Sequence, residues 1–199
     1  MNLPISEIFY SLQGEGARTG TANVFVRIQG CKAKNACYAM GIKCDTEFES
    51  GVDMSLDDLL GAIERVGGRC KNIVWTGGEP ADRVKGDVVA FFKARGFYQT
   101  IETSGLFPVD DGIDFVSVSP KVAEHVVKKN FKHVDELRYV RHKGQAIPEP
   151  SITADYLYLS PHFDGYDINT DNLKHCMDLC LANPLWRLSV QDHKLWNIL

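Results

Sequence analysis

Asn72–Pro80, NIVWTGGEP, joins a short apolar, β-branched run to a glycine turn. Asn72–Trp75 fits a buried strand, and Thr76–Pro80 fits the turn that follows it. Upstream, Leu56, Leu59, Leu60 and Ile63 form one helical stripe, with Ser55 placed to cap it. Downstream, Val84, Val88 and Phe91 or Phe92 form a second stripe, and Gly96 is placed to end it in a left-handed turn. Tyr98–Ile101 is the next strand. Helices alternating with strands imply a parallel sheet with crossover connections.

Further strands are expected at Asn23–Ile28, Phe115–Val118, Leu137–Val140, Tyr156–Leu159 and Leu188–Val190. A third helix carries Leu173, Cys176, Met177 and Cys180. About six mostly parallel core strands and about three core helices are too few for a closed eight-unit barrel. The expected fold is α/β, an open partial (β/α) barrel, and 1–199 fits one domain. Ligands of such sheets sit at the carboxyl ends of the strands. Gly77–Pro80, Thr103–Gly105, Ser119–Lys121 and Ser160–His162 each follow a predicted strand.

The formal charge of −4 gives no support to a nucleic-acid partner, which a basic face would suggest. The basic residues between Lys121 and Lys143 fit a solvated helix and loop. No apolar run is long enough to cross a bilayer, and MNLPISEIFY lacks the features of a signal peptide. A cytoplasmic location without a membrane partner is therefore expected. Disulfides are uncommon there, so the 6 cysteines call for metal binding, catalysis or burial. Cys176 and Cys180 lie on the apolar stripe of their helix, which favours burial, and Cys70 precedes a strand.

Cys31, Cys37 and Cys44 lie in the loop of about 29–46 that follows the Asn23–Ile28 strand. Their spacing alone leaves three readings open. They could hold three irons of a cubane cluster, form a zinc site with a histidine, or be loop thiols without a metal. In the first case the fourth iron stays open to a small molecule such as S-adenosylmethionine.

Several motifs together settle on one family. They are SLQGEG at Ser11–Gly16, FVRIQGC at Phe25–Cys31, CDT at Cys44–Thr46 and TGGEP at Thr76–Pro80. ETSG at Glu102–Gly105, SPK at Ser119–Lys121 and SVQDHK at Ser189–Lys194 complete the set. Each is weak alone, but in this order the chain resembles the 7-carboxy-7-deazaguanine synthases, radical S-adenosylmethionine enzymes of queuosine biosynthesis. There are two departures. The family's CxxxCxxC triplet becomes a longer loop here, with Gly41 three before Cys44 and Cys37 as the middle cysteine. Ser160-Pro161 stands where many relatives have Gln-Pro.

The resemblance implies a partial barrel of the radical S-adenosylmethionine type and a carbon–nitrogen lyase. The substrate would be 6-carboxy-5,6,7,8-tetrahydropterin, which contracts to 7-carboxy-7-deazaguanine with loss of ammonia. Cys31, Cys37 and Cys44 would hold a 4Fe-4S cluster, and Thr46 a Mg2+ ion. Leu12, Gln13, Gly14, Glu15, Arg27, Thr76 and His193 would meet the pterin. Arg27 suits its carboxylate, and Gln13 and Glu15 suit its pyrimidine edge. An internal salt bridge would suit Arg27 equally well. Lys43, Asp45, Gly77, Gly78, Glu79, Glu102, Ser119, Pro120, Lys121, Ser160, Pro161, His162 and Phe163 would meet S-adenosylmethionine. The glycines are expected to leave room for its methionine portion. A homodimer and a reductase- or flavodoxin-type electron donor are implied as partners. The competing readings are a glycyl-radical activating enzyme and a zinc-stabilised binding module without redox chemistry.

Overall fold

In a computed structural model the described residues are 1–39 and 48–198. Lys43, Cys44, Asp45 and Thr46 therefore lie outside them. The strands are β1 (Asn2–Leu12), β2 (Ala22–Ile28), β3 (Val52–Ser55), β4 (Asn72–Gly77) and β5 (Tyr98–Thr103), followed by β6 (Phe115–Val118), β7 (His133–Arg141), β8 (Thr153–Pro161) and β9 (Trp186–Leu188). They form a 9-stranded sheet in the order β3-β1-β2-β4-β5-β6-β7-β8-β9. Strand pairs from β2 through to β9 are parallel, and β1 runs antiparallel to both β2 and β3. β3 and β9 are edges, so the sheet is open.

The α/β class and the parallel core agree with the sequence, but the strand count exceeds the expected six. β1 and β3 are the strands that none of the apolar runs named above marked. A register shift between Ile5 and Glu7 breaks the alternation of β1, and β3 is a short VDMS edge strand with little apolar signal. The last strand lies at Trp186–Leu188 rather than Leu188–Val190.

The three expected helices are α2 (Leu56–Gly67), α3 (Asp87–Lys93) and α5 (Thr170–Ala182). Short helices α1 (Lys34–Ala39) and α6 (Asp192–Trp196) were not expected, whereas α4 (Glu124–Asn130) falls in the basic Lys121–Lys143 stretch read as a solvated helix and loop. Ser55 caps α2 by accepting from the Asp58 N–H at 3.1 Å. Val84 falls before α3, because a 3-10 turn at Pro80–Asp82 intervenes. Met177 is off the buried stripe of α5 and 46% exposed.

Alternation in the strands gives the sheet two unlike faces. Val24, Val26 and Ile28 of β2, Ile73 and Trp75 of β4 and Ile101 of β5 pack against Leu59 and Ile63 of α2 and Val88, Val89 and Phe92 of α3. Trp75 meets Phe92 edge-on, with ring centroids 5.2 Å apart. Val118, Leu137, Tyr139 and Leu159 continue this layer against Val127 of α4 and Cys176 of α5. Each fully buried aliphatic or aromatic side chain there contributes roughly 1.5–3 kcal/mol.

The other face carries a polar row across the strands. Glu7 is in register with Arg27, Arg27 with Thr76, Glu102 with Ser117 and Ser117 with Glu136. A Thr76–Glu102 hydrogen bond at 3.3 Å joins the two halves of the row. Arg138 follows Glu136 by two residues on β7 and shares its face.

Candidate active site

A cleft of about 500 Å3 opens over the β1, β2, β4 and β5 part of that row. Leu12, Gln13, Gly14, Glu15, Arg27, Thr76 and His193 all line it. The fold thus gathers every residue expected to meet the pterin, from segments at both ends of the chain. The ring of Phe9 stacks on that of Phe25, with centroids 4.9 Å apart and a 4° interplanar angle. Both rings line the cleft and give it a flat apolar wall.

Close backbone approach explains the Gln13–Gly16 motif. The Asp192 N–H donates to the Gly14 carbonyl at 2.9 Å, which ties α6 to the end of β1. Gly16 has φ of +70°, and an added Cβ would lie 2.2 Å from a carboxylate oxygen of Glu136. Its N–H donates to the Ser189 hydroxyl at 2.9 Å, and the Ala17 N–H donates to Glu136 at 2.8 Å. The turn is therefore held against β7 and the Ser189 segment.

The cleft's polar groups orient one another. Gln13 Nε2 donates to Glu102 at 2.9 Å, while Gln13 Oε1 accepts from the Glu15 N–H at 3.1 Å. Its amide thus sets the positions of two acidic residues, a role beyond its expected contact with the ligand edge. Arg27 Nε is bound to Glu7 at 2.8 Å and its guanidinium lies over the Phe9 ring, so the salt bridge weighed from the sequence is present. The side chain is still 25% exposed and lines the cleft.

Glu102 was expected beside the cofactor. The structure turns it into the same cleft as Gln13 and Thr76, because it points to the opposite face of β5 from Thr103. Glu79, also expected beside the cofactor, is enclosed by protein groups. Its carboxylate is 2% exposed and accepts from Thr103 Oγ1 at 2.6 Å, the Ser104 N–H at 3.0 Å, the Ser104 hydroxyl and the Ala81 N–H at 3.2 Å. Those contacts spend its acceptor capacity on the protein.

The loops at the carboxyl ends of β2, β4, β5 and β6 are stitched together. The Gly78 and Glu79 N–H groups donate to Ile28 and Gly30, and those of Ser119 and Lys121 donate to Thr103 and Ser104. A Cβ on Gly78 would stand 1.8 Å from the Gly30 carbonyl oxygen, and one on Gly77 2.5 Å from the Ile28 nitrogen. A side chain at either position would therefore collide with the strand end that leads into the cysteine loop. Lys121 Nζ donates to the Ser119 hydroxyl at 2.5 Å, and Pro120 lies between them, buried.

Cys31 follows β2, and Cys37 lies in α1, where its N–H donates to Ala33 at 3.1 Å. Both are partly buried, and the thiol of Cys44 is outside the described residues. No group of three metal-binding side chains is present among the described residues. Beyond β7, Ser160 and Pro161 end β8, His162 stacks on His142 at 4.3 Å and Phe163 is buried. The Ser160 hydroxyl is buried without a hydrogen-bond partner. An orphan hydroxyl at a strand's carboxyl end suits a polar ligand, as the expected adenosyl portion requires.

Cys176 is fully buried and Cys180 half-buried, as their stripe predicted. Burial, helped by neighbouring Cys180, pushes the Cys176 thiol up to about 11. The partly buried Cys70 Sγ lies 3.5 Å from the Ala22 carbonyl.

The sequence reading missed Phe9, Phe25, Tyr166, Gln191 and Lys194 in the cleft lining, and Arg138 and Glu136 behind it. A signal for Arg138 was available: it is a charged residue inside the apolar Leu137–Val140 run.

No family model matches the chain. It is 35% identical over 195 residues to the 7-carboxy-7-deazaguanine synthase of Bacteroides thetaiotaomicron, covering 98% of this chain and 97% of that protein. The enzymes of that name from Caulobacter vibrioides and Burkholderia multivorans are each 35% identical, over 210 and 217 residues, with 98% and 100% of both chains covered. The chain belongs to the 7-carboxy-7-deazaguanine synthases. The crystal structure of QueE from Escherichia coli superposes with a TM-score of 0.66 over 96% of this chain and 94% of that one, at 24% identity. That likeness speaks to the fold, which this 7-carboxy-7-deazaguanine synthase family member builds as an open, mostly parallel sheet. Among the described residues no helix is long and apolar enough to cross a membrane.

Proposed function

We propose that the chain converts 6-carboxy-5,6,7,8-tetrahydropterin to 7-carboxy-7-deazaguanine with loss of ammonia, as a radical S-adenosylmethionine lyase of queuosine biosynthesis. Residues 1–199 act as one domain in this reading. The carrying observation is the convergence of Leu12, Gln13, Gly14, Glu15, Arg27, Thr76 and His193 on one cleft.

The chemistry of the lining suits this ligand. Arg27 and Lys194 present cations to a carboxylate, and Arg27 is held in place by Glu7. Glu15 and Glu102 accept from the amino and ring N–H groups of a pyrimidine edge. The stacked Phe9 and Phe25 rings give the flat ring system an apolar surface and help exclude water. His193 closes the cleft from the α6 side.

Cys31, Cys37 and Cys44 would hold the 4Fe-4S cluster. Thiolates are the fitting donors, and the glycine stitching sets the start of the cysteine loop against the turn after β4. Ser160, His162 and Phe163, with Ser119, Pro120 and Lys121, would face the adenosyl portion, and Ser160 offers it an unused hydroxyl. Backbone groups of Gly77 and Gly78, with Lys43 and Asp45, would complete that site. When bound, the cluster and S-adenosylmethionine supply the radical that removes hydrogen from the pterin. Mg2+ at Thr46, a homodimer, a flavodoxin-type electron donor and a cytoplasmic location belong to the same proposal.

The test is anaerobic reconstitution with iron and sulfide, then addition of S-adenosylmethionine, reductant and the carboxy-tetrahydropterin. A brown protein with about four irons per chain that forms the deazapurine is expected. An iron-loaded protein that cleaves S-adenosylmethionine yet leaves the pterin intact overturns the substrate. A colourless zinc protein overturns the chemistry.

A further inference from the structure

Arg138 is a buried cation, its side chain 7% exposed, set among three carboxylates. Its guanidinium nitrogens lie 3.6 Å from Glu15, 3.7 Å from Glu102 and 3.6 Å from Glu136. Burial by itself would lower its pKa, but the three carboxylates outweigh that and raise it, so the group stays charged. Glu136 is occupied with the Ser117 hydroxyl and the Ala17 N–H. Glu15 and Glu102 are the two that line the cleft.

Two carboxylates brought together on a half-buried wall repel, and without a cation one of them takes up a proton. A protonated carboxyl donates rather than accepts and meets an N–H group badly. Among the described residues, the other charged or titratable groups at this cleft are Arg27 with its partner Glu7 from β2 and β1, Tyr166 from the segment after β8, and His193 and Lys194 from α6. Arg138 reaches them from the side, on β7 two strands along the same face from Glu102, and is not among the residues that line the cleft.

We propose that Arg138 is a positioning residue that keeps Glu15 and Glu102 as a fixed pair of ionised acceptors, and so selects ligands whose edge presents adjacent N–H donors. The inference rests on the reading of the cleft as a pterin site. A 2-amino-4-oxo pyrimidine edge carries such donors. A 2,4-dioxo edge places a carbonyl oxygen where the amino group was, and two carboxylates repel it.

The test uses the full, reconstituted chain under anaerobic conditions, with 6-carboxypterin and 6-carboxylumazine as binding probes and S-adenosylmethionine binding as the check on folding. The wild type should bind the pterin with an affinity that is flat from about pH 6 to about pH 7, below the ionisation of the pterin's own ring N–H, and bind the lumazine roughly 100-fold more weakly. Arg138→Gln should weaken the pterin roughly 10- to 100-fold at neutral pH, with affinity recovering as pH rises and the carboxyl loses its proton. It should also lose most of the discrimination against the lumazine. Arg138→Lys should restore the flat profile, because the charge returns. A folded Arg138→Gln protein with a flat profile and intact discrimination overturns the inference and leaves the pterin site standing. Should Arg138→Gln not bind S-adenosylmethionine, the wild type and Arg138→Lys decide. Indiscriminate wild-type binding, or a pH-dependent Arg138→Lys protein, overturns the inference. A wild type that binds neither probe removes the pterin reading and this inference with it.

Discussion

Glu79 and Glu102 stand at the carboxyl ends of neighbouring parallel strands, β4 and β5, yet their surroundings are opposite. Glu79 is enclosed by Thr103, Ser104 and Ala81. Glu102 points to the other face of the sheet and into the cleft, among Gln13, Thr76 and Arg138. The first carboxylate ties two loops together; the second lines the cleft. The same side chain is enclosed by protein or opens onto the cleft according to which face of the sheet it falls on.

The largest expected effect tests the closed side. Glu79→Ala strands several buried donors, so stability should fall by about 3 kcal/mol and Tm by roughly 6–12 °C. Pterin affinity, measured below the transition, should change by less than about twofold. A stable variant that no longer binds the pterin would break the comparison, because Glu79 would then belong to the cleft.

The open side should show the reverse. Glu102→Ala is expected to weaken 6-carboxypterin by roughly 30-fold through loss of a charge-assisted hydrogen bond, with S-adenosylmethionine affinity unaffected. Titration calorimetry of both ligands separates the outcomes. Weakening of both alike would return Glu102 to the cofactor side. Arg27→Ala should cost the pterin about tenfold and again spare S-adenosylmethionine, the loss vanishing for a pterin without the carboxylate. If the two pterins lose equally, the carboxylate is bound elsewhere.

The smallest signal sharpens the picture of the helix-covered face. The Cys176 thiol, pushed up to about 11 by burial and Cys180, stays protonated near neutral pH. Iodoacetamide at about pH 8 should leave it unmodified until the chain unfolds, as peptide mass mapping would report. Labelling of the native protein would mean that α5 does not hold it against the sheet.

The three core helices were legible because each carries an apolar stripe, and Ser55 marked its cap as the hydrogen bond to Asp58 requires. The parallel core strands were legible as apolar runs. β1 was not, since its bulge after Ile5 breaks the alternation that identifies a strand. Leu12, Gln13, Gly14, Glu15, Arg27, Thr76 and His193 of the cleft were found by their motifs, and Phe9 and Tyr166, outside any motif, were not. Arg138 and Glu136 belong to none of the motifs, and only register brings them behind Glu102 and the Gln13–Gly16 turn.

The sequence by itself determined the α/β class, the positions of the main helices, the turns that follow the strands and the family, because these depend on local periodicity and on short motifs in order. The tertiary structure alone decided that Glu79 is closed and Glu102 open, that Gly77 and Gly78 pack on the β2 strand end, and that three carboxylates share Arg138. Alternation divides a strand's residues into two faces without saying which face the helices cover. That choice, and every ion pair between distant segments, exists only once strand order and register are set.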